Sequence, residues 1–310
     1  MSFLVVGLNP TFQKTLCFSS VIPNTVNRTG VHRLDIAGKG INVTRVLSQL
    51  GKKAVYLTQL GGLTRPLFLS FCEEDSLSVE WAESNSPIRF CYTLINGADS
   101  SVTELVEESS PVEAGTEQRI IEKFDFILHS EKHAPFECLI VSGTKAAGFP
   151  DSLIPLMTKK AKETGLKVFL DVKGKDLTES LRYRPDVIKP NLFEFASTFA
   201  PQLIKNNDLA GDDIAVKEEI KTIMLEICGE FGCRIVLTRG GQKIWAADGE
   251  DFFEVGFQAV KPVNPIGSGD AFTAGLAAAL LDGAGFREAI AEGIRCGALN
   301  AGFIKPGVIL

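Results

Sequence analysis

From residue 113 onward the chain alternates helical segments with short apolar strands, and this alternation limits the fold more than any other feature. Helix 113–129 precedes strand 137–142, helix 151–164 precedes strand 167–171, and 186–189 reads as a further strand. Helix 213–231 then leads to strand 234–238 and a hairpin into 243–247. Strands joined by helical crossovers lie parallel, with helices packed over the sheet. Strands 3–7 and 54–60 are continuous apolar runs of the kind buried on both faces. In open sheets of this class, ligands sit beyond the carboxyl ends of the strands. The loops there are Ser142-Gly143-Thr144, Asp171-Val172-Lys173-Gly174 and Lys189-Pro190-Asn191, and they are expected to line one crevice.

Two excursions interrupt the first half. Segments 11–18 and 30–36 are rich in β-formers yet polar enough for one wet face, and 86–96 and 101–106 repeat that pattern around an Asn96-Gly97 turn. Together they suggest a small sheet apart from the main core, a lid made by residues 11–36 and 86–106. No Pro- or Ser-rich linker divides the chain, so residues 1–310 read as a single α/β domain plus this lid, with polar 206–213 as an insertion.

Composition narrows the function classes. The formal net charge is −6 and the pI about 5.3, with no basic block, which argues against nucleic acid and polybasic membrane contact. Residues 1–8 lack the features of a signal peptide and no apolar run approaches membrane-spanning length, so a cytoplasmic protein is expected. Seven cysteines, an odd number without repeating spacing, suit reduced thiols, and His32, His129 and His133 form no metal-ligand pattern.

Four stretches carry candidate chemistry. Asn264-Pro265-Ile266-Gly267-Ser268-Gly269-Asp270 runs into helix formers from Ala271 to Leu281. Glycines let successive N–H groups share one concavity, and the helix N-terminus adds partial positive charge, so the turn suits an anion. Asp270 is placed to take a proton from a hydroxyl beside that anion; the same residues read equally well as helix capping. Ala37-Gly38-Lys39-Gly40-Ile41-Asn42-Val43 is a second glycine-led helix start, with a point charge between its glycines. Asn191 and Glu194, three apart at a helix start, suit a hydrated Mg²⁺ near phosphates, or a capping box. The pair Gly240-Gly241 after strand 234–238 suits close approach to a ring or phosphate, or a plain turn. Arg89 lies within the lid strand 86–96.

In this order the stretches resemble the PfkB (ribokinase-like) carbohydrate kinases along nearly the whole chain. Residues 37–43 are similar to the family's first signature and 264–275 to its second; Thr103-Glu104-Leu105 and Asn9-Pro10 are further landmarks. The wording is nearest the hexose-phosphate branch, which contains 1-phosphofructokinase and tagatose-6-phosphate kinase. The resemblance implies a three-layer α/β/α domain with a mostly parallel sheet and a β lid. It implies ATP and Mg²⁺ as cofactors and a sugar phosphate as acceptor, with a neutral-sugar or nucleoside kinase, or a non-catalytic sugar-phosphate binder, as alternatives. Asp270 would be the base, and the amides of Gly267, Ser268, Gly269 and Asp270 the anion hole. Glu194, through water, and Asn191 would organise Mg²⁺ and the phosphates. Lys189, Thr238, Gly240, Gly241 and Asn300 would line the nucleotide site. Asn9, Gln13, Gly38, Lys39, Gly40, Asn42 and Thr144 would hold the sugar, and Arg89, Arg28 and Lys39 its phosphate. A homodimer through the lid is also implied. The chain departs from the pattern at Gln13, where the branch usually has Asp, at Ala37 for a glycine, and at Lys145, an added charge expected either at the crevice or in solvent.

Overall fold

The computed structural model describes residues 1–130, 133, 135–205, 214–258 and 260–310. Strands β1 (Ser2–Val6), β2 (Thr11–Phe18) and β3 (Val31–Ala37) lead to helix α1 (Lys39–Gln49); β4 (Lys53–Gly61), α2 (Arg65–Glu74), β5 (Ser78–Pro87), β6 (Arg89–Asn96) and β7 (Ser101–Val106) follow. The second half runs α3 (Thr116–His129), β8 (Cys138–Ser142), α4 (Leu153–Glu163), β9 (Lys167–Asp171), α5 (Lys175–Leu181), β10 (Val187–Ile188), α6 (Leu192–Phe199) and α7 (Ile214–Phe231). It closes with β11 (Arg234–Leu237), β12 (Ile244–Asp248), β13 (Asp251–Val255), α8 (Ser268–Leu281) and α9 (Phe286–Ala301). The polar segment 206–213 lies outside the described residues.

Nine strands form the main sheet in the order β13-β12-β11-β10-β9-β8-β1-β4-β5, parallel from β11 to β5 and antiparallel at the β12 and β13 edge. Its two faces are covered by different helices. Leu4 and Val6 of β1 pack with α3, α4, α6 and α7, whereas Phe3 and Val5 pack with α1, α8 and α9. Burial on both faces is why β1 reads as unbroken apolar sequence. Helices α8 and α9 approach closely because glycines face the contact. A Cβ on Gly275 would come within 2.7 Å of Cys296 Sγ, and one on Gly293 within 3.0 Å of the Phe272 ring.

The second sheet, β3-β2-β6-β7, is the expected lid. Its boundary differs from the sequence reading in one place. Segment 86–96 is not one strand: β5 ends at Pro87 as the edge of the main sheet, and β6 begins at Arg89 in the lid. Proline has no N–H to donate, so it can close an edge strand but not continue a ladder. Strand β13 and helices α5 and α9 also escaped the sequence reading. No helix among the described residues is long and apolar enough to cross a membrane. All seven cysteines are free thiols; six are buried and Cys17 is half-buried.

Candidate active site

The two glycine-led helix starts meet at the carboxyl ends of the parallel strands. Helix α8 begins at Gly267, whose φ of 84° suits glycine, and Asp270 falls in its first turn. Helix α1 begins at Gly38, with φ 110°. The two starts are joined by one hydrogen bond: Asn42 Nδ2 donates to Asp270 Oδ2 at 2.8 Å. Asp270 is buried, and burial pushes its carboxyl up to about 7. The Lys39 ammonium, the amide of Asn42 and the Lys189 ammonium work against that rise, and the Asp171 carboxylate adds to it.

Lys39 lies at the centre of the charges. Its Nζ is 3.2 Å from Asp171 Oδ1 and 3.1 Å from Glu194 Oε1. Burial would lower its proton affinity, but the carboxylates of Asp171, Glu194 and Asp270 more than reverse this, so the ammonium stays charged. Asp171, at the end of β9, is fully enclosed. Burial alone would raise its carboxyl, and the ammoniums of Lys189 and Lys39 bring it below its usual value. Ser142 and Thr273 also donate to its Oδ2, at 3.2 and 3.4 Å. The chain carried no motif around Asp171; its position at a strand end was the available signal.

Asn191 and Glu194 form a capping box. Asn191 Oδ1 accepts from the Glu194 amide at 2.7 Å, and Glu194 Oε2 accepts from the Asn191 amide at 3.0 Å. The capping reading therefore holds, and it uses only one oxygen of Glu194; the other faces Lys39. Among the described residues no group of three or more His, Cys, Asp or Glu is arranged to hold a metal. The Asp171 and Glu194 oxygens do converge on one positive charge, the Lys39 ammonium standing in for a cation. An all-oxygen pair suits Mg²⁺, which keeps waters and shares phosphate ligands; these residues fit such an ion.

Two cavities flank this centre. The larger, about 310 Å³, is lined by Thr238, Gly240 and Gly241, by Ser268 and Gly269, and by apolar walls that include Phe257, Val260, Phe272, Ile294 and Ala298. The apolar walls were missed by the sequence reading because α9 and the segment before α8 carry no polar motif. The smaller, about 140 Å³, is lined by Asn9, Gly38, Lys39, Gly40 and Arg89 and by the expected crevice loop Ser142-Gly143-Thr144, with Tyr56 and Gly7 as unforeseen members. Gly40 must be small here, since a Cβ on it would meet the Tyr56 ring at 2.8 Å and Gly7 Cα at 2.9 Å. Asn9 Nδ2 donates to Thr144 Oγ1 at 3.1 Å across the cavity wall. Arg89 gives Nη1 to the Glu107 carbonyl at 3.0 Å, while its buried Nε has no hydrogen-bond partner.

Other expected residues line neither cavity. Gln13 is buried in the lid and donates to Thr93 Oγ1 at 2.6 Å rather than lining the cavity. Arg28 is exposed in the connection between β2 and β3, beyond the pairing of Cys17 with Val31 and so at the far end of β2 from Thr11. Asn300 lines neither cavity; it holds the α8 turn, donating to the Ile266 carbonyl at 2.9 Å and Ser268 Oγ at 3.1 Å. Lys189 pairs with Asp171 at 3.4 Å and is not among the larger cavity's walls. Lys145 is half-buried, held by Asp176 and Asp151, and lines neither cavity. One expected anion-hole amide is also committed, since Ser268 N–H donates to the Pro265 carbonyl at 3.1 Å.

A buried carboxylate thus lies where two helix N-termini and two cavities meet. The model for pfkB family carbohydrate kinases matches residues 15–304, and the chain belongs to that family, a family of ATP-dependent sugar kinases. Among solved structures it is similar to phosphofructokinase-2 from Escherichia coli, at 19% identity and TM-score 0.82 over 99% of this chain and 94% of that one. The same enzyme with fructose-6-phosphate matches at 19% identity and TM-score 0.80, over 96% and 93%. A Thermotoga maritima protein described as a possible 1-phosphofructokinase matches at 19% identity and TM-score 0.83, over 97% and 92%. At such identities the likeness is one of fold.

Proposed function

We propose that this kinase transfers the γ-phosphoryl group of ATP to a hydroxyl of a hexose phosphate. The observation that carries the reading is Arg89 in the wall of the smaller cavity, its buried Nε free of hydrogen bonds. A cavity that small, with a guanidinium in its wall, suits an acceptor already bearing an anion. The structures named with fructose-6-phosphate and 1-phosphofructokinase support the same class.

In this reading the nucleotide base occupies the apolar cavity and the phosphates reach the α8 start. Mg²⁺, held by Glu194 and Asp171, would neutralise phosphate charge when bound. Asp270 Oδ2 is held by Asn42, so Oδ1 is left to accept the hydroxyl proton. The acceptor oxygen forms its bond to the γ-phosphorus as the bond to ADP breaks. The amides of Gly267, Gly269 and Asp270 hold the equatorial charge. A carboxyl raised to about 7 is matched to this work near neutral pH. Catalysis here is positioning plus electrostatics, the usual demand of phosphoryl transfer.

The deciding experiment is ADP release from the purified protein with ATP, Mg²⁺ and a panel of sugar phosphates and neutral sugars. Turnover confined to neutral sugars or nucleosides would move the protein to another branch. The lid also carries exposed Val31, Leu105 and Val106, and it is proposed to pair in a homodimer; a monomeric mass by light scattering would refute that.

A further inference from the structure

Lys39 touches both halves of the site. Its stem passes Gly143, whose φ is 97° and where a Cβ would lie 3.2 Å from Lys39 Cβ. Its side chain lines the smaller cavity, while its ammonium leans the other way, onto Asp171 Oδ1 and Glu194 Oε1. The remaining oxygens of those carboxylates are committed. Asp171 Oδ2 faces Lys189, Ser142 and Thr273, and Glu194 Oε2 caps α6. The only oxygens left to a divalent cation at this pair are the two that Lys39 holds.

We infer that Lys39 is an internal counter-ion of the metal seat, its ammonium and a divalent cation competing for the same two oxygens. Two cations cannot share that pair at contact distance without strong repulsion. Without metal, Lys39 is the second ammonium, after Lys189, that offsets the buried Asp171 carboxylate, and it also faces Glu194. With metal, the ammonium is released toward the acceptor cavity, where its charge joins that of Arg89. Metal loading and acceptor affinity are thereby coupled, and the coupling is reciprocal. The inference rests on the kinase reading for the need of a metal, but its test uses neither nucleotide nor turnover.

The test is Mn²⁺ titration of the whole protein without nucleotide, read from the electron paramagnetic resonance signal of free Mn²⁺. Lys39→Met is expected to bind Mn²⁺ at least tenfold more tightly than the unaltered protein, and Lys39→Arg to stay within about threefold of it. Adding Glu194→Gln to Lys39→Met should abolish the gain, since glutamine keeps a carbonyl for the cap but no charge. Equal or weaker Mn²⁺ binding by Lys39→Met would overturn the inference, as would a gain that survives Glu194→Gln. A second measurement needs no variant. Acylation of Lys39 by an amine-reactive ester, followed by peptide mass spectrometry, should accelerate when Mn²⁺ is added; slower or unchanged labelling overturns the inference as well. Failure of the kinase reading would show separately, as absent ADP release by a protein whose Mn²⁺ titrations behave as stated.

Discussion

The two cavities are built on opposite principles although both open at helix N-termini. The larger is walled mainly by Phe257, Val260, Pro262, Phe272, Ile294 and alanines of α9, so its occupant is held by shape and burial of apolar surface. The smaller has Lys39, Arg89, Asn9 and Thr144 within less than half the volume, so its occupant is held by charge and hydrogen bonds. Discrimination at a polar cavity is sharper, because a missing partner leaves buried polar groups unpaired. On the proposed assignment of donor to the larger cavity and acceptor to the smaller, the two selectivities should mutate independently, with Asp270 between them.

The largest break is expected at that midpoint. Asp270→Asn should lower kcat roughly 10³–10⁴-fold while leaving the KM for ATP nearly unchanged, measured by steady-state ADP release. Acid should act through the same carboxyl. Its ionised form is the active one and it titrates at about 7, so kcat/KM should fall about tenfold per pH unit below that value and level off above it. A flat profile between pH 5 and 8 would remove Asp270 from its role.

The next two changes separate the cavities. Arg89→Ala should raise the KM for the sugar phosphate on the order of 30–100-fold, as expected for a lost charge-assisted contact, with the KM for ATP unaltered. Ala298→Leu should do the reverse, raising the KM for ATP about tenfold by filling the apolar cavity and sparing the acceptor KM. Equal effects of either variant on both substrates would show one continuous site. The smallest effect concerns stability. The Asp270 carboxyl is raised on folding, so between its ordinary value and about 7 the folded state binds more protons than the unfolded one. Stability therefore falls as pH rises through that window. Asp270→Asn should recover on the order of 1 kcal/mol at pH 8 and little at pH 5, measured by urea unfolding.

What could be read from the chain follows physical lines. Parallel strands and crossover helices were legible because β1, β4, β8 and β9 each carry an apolar run, and the starts of α1 and α8 because glycine precedes them. Helix α9 was not, since its Gly293, Gly297 and alanines are there for close packing on α8 and blur the helical signal. The site residues on motifs, Lys39, Asn42 and Asp270, came together as read. Tyr56 escaped, and Asp171 was legible only as part of a crevice loop, because their roles arise from tertiary neighbours rather than local pattern. Gln13 was read from its place in a motif; its partner Thr93, eighty positions away, takes the amide instead.

The Asn300 clamp has a consequence for how activity is acquired. Its amide ties the Ile266–Ser268 turn, and its carbonyl oxygen accepts from Gly307 N–H at 2.7 Å, so that turn takes its shape only when α9 has docked. On the proposed reading, the amides of that turn reach the geometry to hold phosphate only once α9 is in place. An intermediate with a formed central sheet but an undocked last helix would be compact yet chemically silent, unable to spend ATP before the fold is complete.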